Sequence, residues 1–316
     1  MTAFIRPFRL ISKSDVAIAG GKGASLGEMT RVGFPVPAGF VVLSSAFDKF
    51  ISETGRSLEI AGILRQVDEN PESVEEASAR IVAGIQGAKV PETIEREVQE
   101  AFGKLGAKYV AVRSSATSED SFKDAWAGQL DSYLNITANR LVKNLRSCWI
   151  SLFTPRAIFY RRERGLGAQK ISVAVVIQNM VDAQAAGVAF SVHPVTQNPN
   201  HIIIEAGYGL CEAVVSGEIT PDSYVVAKKP YRIVDTHVSE QKRGLYRGPR
   251  GGCRWKPIPP SLADKQKLNS NQIQQLSGLV AQIEAHYGFA CDIEWVFDGA
   301  NFSIVQSRPI TTMKAV

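Results

Sequence analysis

The C-terminal segment of the chain contains two runs of alternating polar and apolar residues joined by a tight turn. The runs extend from Cys291 to Phe297 and from Phe302 to Gln306, and the turn is Asp298-Gly299-Ala300-Asn301. Side chains of a strand point alternately to its two faces, and glycine adopts the positive φ that tight turns need. The pattern therefore predicts an antiparallel hairpin with one polar face and one largely apolar face.

Four polar side chains are expected on one face of this hairpin. The short turn allows Glu294 to lie opposite Gln306, and alternation then puts Asp292 and Arg308 on the same face. The other face receives a largely apolar set, which consists of Ile293, Trp295, Val305 and Ser307. One side of the sheet is therefore expected to be dry and the other to carry chemistry.

The residue types on the polar face suit a phosphate that is bound to a metal. Glu294 and Gln306 provide a carboxylate and an amide oxygen, which Mg²⁺ accepts while it takes its other ligands from water and substrate phosphates. The guanidinium of Arg308 can hold a phosphate through two parallel hydrogen bonds. The pattern alone is also compatible with an exposed hairpin whose charged face only forms salt bridges.

A glycine-rich segment near the N-terminus combines a turn with a cation. Gly20-Gly21-Lys22-Gly23 precedes Ala24 to Met29, whose small and helix-favouring residues predict a helix start. Glycines let the backbone approach an anion, and Lys22 supplies a compact positive charge. The spacing is not that of a Walker A motif, and a glycine-rich turn before a helix is also common structural punctuation.

Arg113 follows the apolar run from Tyr109 to Val112, which predicts a buried strand, and it opens a hydroxyl-rich loop. A rigid guanidinium at a strand end suits triphosphate binding, although an arginine paired with Glu119 or Asp120 in a structural loop fits as well.

A third segment, Glu205 to Glu212, is also rich in glycine. Its backbone amides either cradle phosphate, or the segment simply connects two strands.

The rest of the pattern combines helices and strands in two parts. Helical periodicity covers about Ser57 to Leu105, Ala138 to Arg164 and Asp264 to Tyr287. The β-branched run from Ile171 to Ile177 predicts a strand buried on both faces, and short strands begin near Gln184. We therefore expect an α+β fold with an N-terminal lobe at residues 1–182 and a C-terminal lobe at residues 183–316.

The composition argues against several functional classes. The 36 basic and 31 acidic residues of this 316-residue chain leave a net charge of +5, which is too small to indicate nucleic-acid binding. The 4 cysteines form no CxxC pair, so neither a zinc site nor a disulfide framework is predicted. No uninterrupted apolar run reaches the roughly 18 residues of a membrane span, and we expect a cytoplasmic protein without a membrane partner.

None of the 4 histidines has a sequence context typical of a phosphate carrier. His201 opens an apolar strand, His286 lies in a predicted helix, and His237 lies in a polar turn region. His193 precedes Pro194 near the predicted lobe boundary. We interpret all of them as structural or solvent-exposed residues.

Taken in order, these segments resemble the N-terminal domain of the family that includes phosphoenolpyruvate synthase, pyruvate phosphate dikinase and rifampicin phosphotransferase. The resemblance extends from Gly20 to Thr311. It rests on GGKGASLGEM from Gly20, VPAGF from Val36, AVRSSATSED from Ala111, WAGQLDSYLN from Trp126, VVIQNMV from Val175, EAGYGL from Glu205, DIEW from Asp292 and VQSRP from Val305. It implies an ATP-grasp fold, in which two lobes grip the nucleotide, and the cofactors ATP and Mg²⁺.

The resemblance also implies a role for each matching residue. By this resemblance, Lys22 and Arg113 bind the ATP phosphates, with Gly128 and Ser132 nearby, and Gln178 contacts the adenine. Glu294 and Gln306 bind Mg²⁺. Arg308 contacts the transferring phosphate, and Asp292 assists. Arg113 and Arg308 are then the expected catalytic residues. Cys211 departs from the glycine that related sequences commonly have, which leaves the geometry of its loop open.

The related enzymes pass phosphate through a histidine in a small swivelling domain and add an acceptor domain, for which this sequence has no counterpart. We therefore expect a stand-alone subunit or a fragment that transfers phosphoryl or pyrophosphoryl from ATP to a histidine on a partner domain or chain. Such a protein is an ATP-dependent phosphotransferase of the dikinase type. Two alternatives stay open, namely a non-catalytic nucleotide-binding regulatory subunit and a kinase acting directly on a small molecule.

Overall fold

The computed structural model describes residues 4–68, 70–117, 130–166 and 171–310, and it combines helices with antiparallel sheets as the α+β prediction requires. The chain divides into two compact units, one formed by Met1–Val32 and Ala38–Met180 and the other by Gly33–Pro37 and Val181–Val316. We call Gly33–Pro37 the strap, because it belongs to the second unit although both of its flanks belong to the first. Within the described ranges, no helix is long and apolar enough to cross a membrane.

The first unit contains seven α-helices, five strands and two short 3₁₀ turns in its described part. The helices are α1 (Val16–Arg31), α2 (Ser44–Glu53), α3 (Ser57–Gln66), α4 (Pro71–Gln86), α5 (Glu92–Leu105), α6 (Ala138–Ile150) and α7 (Pro155–Glu163). The strands are β1 (Ile5–Pro7), β2 (Gly39–Val42), β3 (Val110–Ala116), β4 (Ser132–Ile136) and β5 (Val173–Asn179), and the 3₁₀ turns are Phe8–Leu10 and Ser151–Phe153.

The sheet of the first unit has the strand order β1-β2-β5-β3-β4, and every neighbouring pair is antiparallel. The glycine-rich helix α1 packs against β3 and β5, while a core formed with α2 to α7 covers the opposite face. β5 is therefore central and is buried along nearly its whole length. This confirms the prediction of a strand buried on both faces, since only a doubly covered strand reads as a continuous apolar run.

The helical stretch predicted from Ala138 to Arg164 is two helices rather than one. The side chain of Thr154 accepts a hydrogen bond from the Ala157 amide, and Pro155 occupies the first turn of α7. Thr154 is therefore an N-cap that starts a new helix after the 3₁₀ turn.

The second unit contains the remaining described elements, which are mostly strands. The strands are β6 (Ala185–Phe190), β7 (His201–Tyr208), β8 (Asp222–Lys228), β9 (Tyr231–His237), β10 (Arg243–Arg247), β11 (Cys253–Pro257), β12 (Cys291–Phe297) and β13 (Phe302–Pro309). The helices are α8 (Glu212–Val215), α9 (Pro260–Ala263) and α10 (Ser270–Tyr287).

The main sheet of the second unit has the strand order β13-β12-β6-β7-β8-β9, again fully antiparallel. The helix α10 packs against β7, β8, β9 and β12 through a buried stripe that includes Ile273, Leu276 and Val280. The strap lies beside β13, which is one of the two edge strands of this sheet, and the Ile304 amide donates to the Pro35 carbonyl at 2.8 Å. The strap therefore covers part of an edge strand that would otherwise present open backbone groups.

The long helix α10 begins later than its periodicity predicts. It starts at Ser270 rather than Asp264, because Asn269 and Gln272 form a reciprocal capping box. The residues just before the cap fold inward instead, and the side chain of Lys267 lies in the interior.

Lys267 and Asp222 form a fully buried ion pair. Both side chains are 0% exposed, and Lys267 Nζ lies 2.9 Å from Asp222 Oδ1. The Asp222 carboxylate also accepts from the Tyr224 hydroxyl at 2.7 Å and from the amides of Ser239 and Lys267 at 3.0 and 2.8 Å. Lys267 Nζ donates further to the Ser239 carbonyl at 2.6 Å. Each charge is thus hydrogen-bonded, which is the condition for burying such a pair.

Replacing Lys267 by methionine should lower the free energy of unfolding by about 3–5 kcal/mol, because the variant leaves the Asp222 carboxylate buried without its cation. The matched control is Lys265→Met, whose side chain is 62% exposed and 3.7 Å from Asp264. This control should cost less than about 0.5 kcal/mol. Urea unfolding followed by tryptophan fluorescence measures both variants, and equal stabilities would contradict the expectation.

Candidate functional site

The polar face of the C-terminal hairpin has the predicted register. Glu294 lies directly opposite Gln306, and Asp292 lies directly opposite Arg308. Glu294 is half-buried and Gln306 is only 5% exposed. Opposed side chains on neighbouring strands have Cβ atoms about 4.5–5.5 Å apart, so the Glu294 carboxylate and the Gln306 amide oxygen can both reach one cation.

A β-bulge creates this register. The pairing that starts with Phe297 opposite Phe302 would, if it continued without interruption, place Glu294 opposite Val305. One extra residue enters β13 between Ile304 and Gln306, and Gln306 thereby moves opposite Glu294. A bulge sets two residues against one and so changes the alternation of faces beyond it.

The bulge also corrects one part of the sequence prediction. Val305 is its extra residue and packs against an apolar cluster that contains Val188. Val188 lies opposite Glu294 in β6 and therefore shares the polar face. The prediction that Val305 lies on the dry face is wrong, whereas Ile293 and Trp295 are 0% exposed.

Arg308 is held by Asp292 across the two strands. Its Nε and Nη2 donate to Asp292 Oδ2 at 2.9 and 2.7 Å. The Asp292 side chain is 14% exposed and that of Arg308 is 33% exposed. A guanidinium carries five N–H donors, so this pair is compatible with an additional phosphate ligand and fixes the direction from which it is bound.

Three carboxylates share the polar face. Glu205 in β7 lies opposite Val188 of β6, and Val188 lies opposite Glu294 of β12, so Glu205 and Glu294 point to the same side. Asp292 is two residues before Glu294 in β12 and therefore points to that side as well. Burial raises the pKa of Glu205, and the charge of Asp292 raises it further. Burial also raises the pKa of Asp292, against the effect of Arg308 and with a contribution from Glu294. This concentration of negative charge favours a bound cation.

Sequence reasoning gave Glu205 no role at a metal site. The glycine-rich pattern that begins at Glu205 predicts a loop, whereas β7 continues to Tyr208, and nothing in the spacing connects the residue with a hairpin about 90 positions later. Only the strand order β12-β6-β7 brings it to the same face as Glu294.

Replacing Asp292 by asparagine should lower the pKa of Glu205, because the variant removes a neighbouring negative charge that disfavours ionisation. Carboxyl ¹³C NMR titration of a glutamate-labelled protein measures this pKa. The control is Asp298→Asn, since Asp298 accepts from the turn amides of Ala300 and Asn301 and is not a cause of the Glu205 shift. If the pKa of Glu205 is the same in Asp292→Asn as in the wild type, the charge of Asp292 is not a cause of its raised value.

The same pKa directions fix the sign of a stability effect in the wild type. Because the pKa values of Glu205 and Asp292 are raised on folding, the folded state binds protons more tightly than the unfolded chain. Their contribution to stability is therefore greatest below the ordinary values of 4.5 and 3.8 and falls as the pH rises through the folded-state pKa values.

The glycine-rich segment of the first unit lies inside α1 rather than before it. The helix begins at Val16 and is interrupted at Gly20, where φ is 69° and ψ is 171°. The predicted helix start after the glycines missed the turn from Val16. The Gly23 amide donates to Ser115 Oγ at 3.2 Å, so the interruption lies against β3, two residues after Arg113.

Arg113, Ser132 and Gln178 share one face of the first sheet. Ser132 lies opposite Arg113, and Arg113 lies opposite Val176. Gln178 is two residues after Val176 in β5, so its side chain points to the same side. Arg113 is 9% exposed and Gln178 is 2% exposed. The structure therefore brings together three residues that are far apart in the sequence.

Lys22 lies close enough to Cys148, in the same unit, to influence the pKa of its thiol. Burial raises the pKa of the Cys148 thiol to about 12, and smaller contributions come from Asp131, which raises it, and from Lys22, which lowers it. Lys22 and Asp131 therefore both lie within electrostatic range of Cys148. Gly128, which the resemblance also assigns to this site, lies outside the described residues.

The loop after β7 accommodates its unusual cysteine. Cys211 has φ −53° and ψ −33°, a helical conformation that any residue adopts. Its thiol donates to the Gly187 carbonyl at 3.3 Å. Glycine is needed instead at Gly209, where φ is +91° and a Cβ atom would lie 2.5 Å from the Leu245 carbonyl oxygen.

Gly20→Ala should destabilise the protein by roughly 2–4 kcal/mol, because strain and overpacking add at this position. A Cβ atom at Gly20 would lie 2.2 Å from Ser115 Oγ. Gly106→Ala is the control, since Gly106 also has positive φ, at +67°, but a Cβ atom there meets nothing within 4 Å. It should cost only about 1 kcal/mol. Thermal unfolding compares the two, and equal losses would show that the contact with Ser115 is unimportant.

Two of the histidines make contacts within the second unit. His193 Nδ1 accepts from the amides of Val195 and Thr196 at 3.3 Å, and His286 packs edge-on against Phe34. These contacts are structural. Among the residues that the structure describes, no three His, Cys, Asp or Glu side chains are grouped to hold a metal ion.

Comparison with known proteins gives the relationship of the chain. Residues 16–316 match the family described as pyruvate phosphate dikinase, AMP/ATP-binding domain. The chain belongs to this family. Probable phosphoenolpyruvate synthases of Methanocaldococcus jannaschii and Methanothermobacter thermautotrophicus are 43% and 41% identical to it over 96% and 99% of its length. The rifampicin phosphotransferase of Bacillus cereus is 36% identical over 99%.

The family resemblance inferred from the motifs is thereby confirmed. The chain spans only 26%, 47% and 36% of the length of these three relatives, in the same order. It therefore corresponds to one part of longer proteins, which are named probable phosphoenolpyruvate synthase and rifampicin phosphotransferase.

Proposed function

We propose that the chain is the Mg²⁺–ATP-binding part of a phosphoenolpyruvate synthase-like phosphotransferase and that it has the ATP-grasp fold. Family membership supports this proposal, as do two polar faces, one in each unit, with the residue types that a metal-bound triphosphate needs. The observation that carries it is the bulged register that sets Glu294 opposite Gln306, with Arg308 two residues further along the same face.

In the first unit, Lys22 and Arg113 bind the phosphates of ATP, with Ser132 beside them, and Gly128 is a further residue that the family resemblance assigns to this site. A lysine supplies a compact charge, and an arginine supplies a planar fork that matches phosphate oxygens. Backbone amides at the interruption of α1 add partial positive charge. Gln178 contacts the adenine, since a buried amide offers both a donor and an acceptor.

In the second unit, Glu294 and Gln306 hold Mg²⁺, which neutralises phosphate charge when it is bound. Arg308 contacts the phosphate that is transferred and stabilises the charge that develops on it, while Asp292 keeps the guanidinium in place. Arg113 and Arg308 are the catalytic residues in this proposal. Their contribution is positioning and electrostatic stabilisation, which account for most of the catalysis in phosphoryl transfer.

The acceptor is a histidine on a separate domain or chain, which receives phosphoryl or pyrophosphoryl and passes it on to an acceptor-substrate site. The greater length of the relatives supports such a partner. The structural contacts of His193 and His286 support it as well, because they leave these side chains committed elsewhere.

Isothermal titration with Mg²⁺–ATP should give saturable binding, and Arg308→Ala should weaken it about tenfold or more, because a charge-assisted contact is lost. Arg254→Ala removes an exposed arginine of β11 and is the control that should bind as the wild type does. The absence of binding, or an Arg308→Ala affinity equal to that of the wild type, would refute the proposal.

Transfer is tested on the same protein with ATP labelled at the β- or γ-phosphate and a candidate histidine-bearing partner. Label from γ alone on the partner indicates phosphoryl transfer, and label from both positions indicates pyrophosphoryl transfer. Binding without any transfer would instead identify a nucleotide-binding regulatory subunit. Consumption of ATP with small acceptors alone would identify a kinase that acts directly on a small molecule.

A further inference from the structure

Asp131, the residue immediately before β4, is held through each of its polar groups. Its amide donates to Ser151 Oγ at 3.3 Å, and its carbonyl accepts from the amide and hydroxyl of Ser114 at 3.2 and 3.0 Å. Its carboxylate accepts from the Tyr133 hydroxyl at 2.9 Å and lies 3.9 Å from Arg156 Nη2.

The backbone anchors of Asp131 are part of the buried core. Ser114 and Ser151 are each 1% exposed, and Cys148 is 0% exposed. Ser151 Oγ donates to the Cys148 carbonyl at 2.7 Å and lies 3.3 Å from Ser114 Oγ, while the Cys148 thiol approaches the Asp131 carbonyl at 3.8 Å. A satisfied and buried network of this kind is rigid, so it fixes Asp131 relative to α6 and β3.

The anchoring has a direct consequence for two residues of the proposed phosphate site. Ser114 and Asp131 lie on the core side of the sheet, where the Asp131 side chain stays 38% exposed, and their sequence neighbours Arg113 and Ser132 point to the opposite face. The hydrogen bond from the Ser114 amide to the Asp131 carbonyl lies next to the Arg113–Ser132 pair in the ladder. Holding Asp131 therefore sets the distance between Arg113 and Ser132.

We propose that Asp131 is a positioning residue that holds Ser132 beside Arg113 for binding of the ATP phosphates. This inference rests on the proposed function. The carboxylate acts as a hydrogen-bond acceptor for Tyr133 and not as a ligand, because a negative charge beside a polyphosphate is repulsive. An asparagine at this position keeps an oxygen acceptor and loses the charge, whereas an alanine loses both.

The test compares the affinities for Mg²⁺–ATP and for adenosine, which lacks the phosphates. Asp131→Ala should weaken ATP binding about tenfold and adenosine binding less than about twofold, since the loss concerns phosphate contacts alone. Asp131→Asn should restore the ATP affinity to within about threefold of the wild type. Tyr133→Phe removes only the hydroxyl donor and should give an intermediate, ATP-selective loss, which keeps the test decisive if Asp131→Ala does not fold.

The matched control is Asp48→Ala, which removes a carboxylate that accepts from the Ser172 hydroxyl at 2.7 Å elsewhere in the first unit. It should leave both affinities unchanged. Equal losses for ATP and adenosine in Asp131→Ala would identify a purely structural role, and an Asp131→Asn variant as weak as Asp131→Ala would identify a role of the charge; either result overturns the proposal. Normal ATP binding by Asp131→Ala overturns the positioning role alone, whereas a wild type that binds no ATP overturns the proposed function as well.

Discussion

The distribution of side chains between the two faces of the second unit's main sheet depends on how β12 pairs with β6 on one side and with β13 on the other. Antiparallel neighbours place directly opposed residues on the same face, so a slip of one position would exchange the polar and dry faces of the whole strand. The bulge in β13 introduces such a shift once, between Ile304 and Gln306, and thereby brings Gln306 to Glu294 and Arg308 to Asp292. The chemistry of this face therefore depends on one extra residue in one strand.

The two units carry polar faces of opposite character. The face in the first unit contains Arg113 and lies near Lys22, whereas the face in the second unit sets Asp292, Glu294 and Glu205 against one arginine. A metal-bound polyphosphate has both kinds of requirement, since its oxygens need cations and its metal needs oxygen ligands.

The sequence predicts features that depend on local periodicity. Alternation from Cys291 to Gln306 predicts the hairpin, and the β-branched run that ends at Ile177 predicts a central strand. Features that depend on distant partners were missed. Ser115 meets the interruption at Gly20, and strand order brings Glu205 to Glu294. Such contacts join residues about 90 positions apart, and no pattern within either segment encodes them.

The strap has a consequence for how the molecule can be divided. A polypeptide that ends at Met180 retains the strap but lacks β13, and one that begins at Val181 retains β13 but lacks the Pro35 carbonyl that the Ile304 amide binds. The second half then leaves the Ile304 amide of the edge strand β13 without this partner, and unpaired strand edges recruit other chains. The boundary between the units is thus not a single cut, and a second unit that keeps this hydrogen bond needs the strap as well, supplied either in trans or through a rearranged order of the chain.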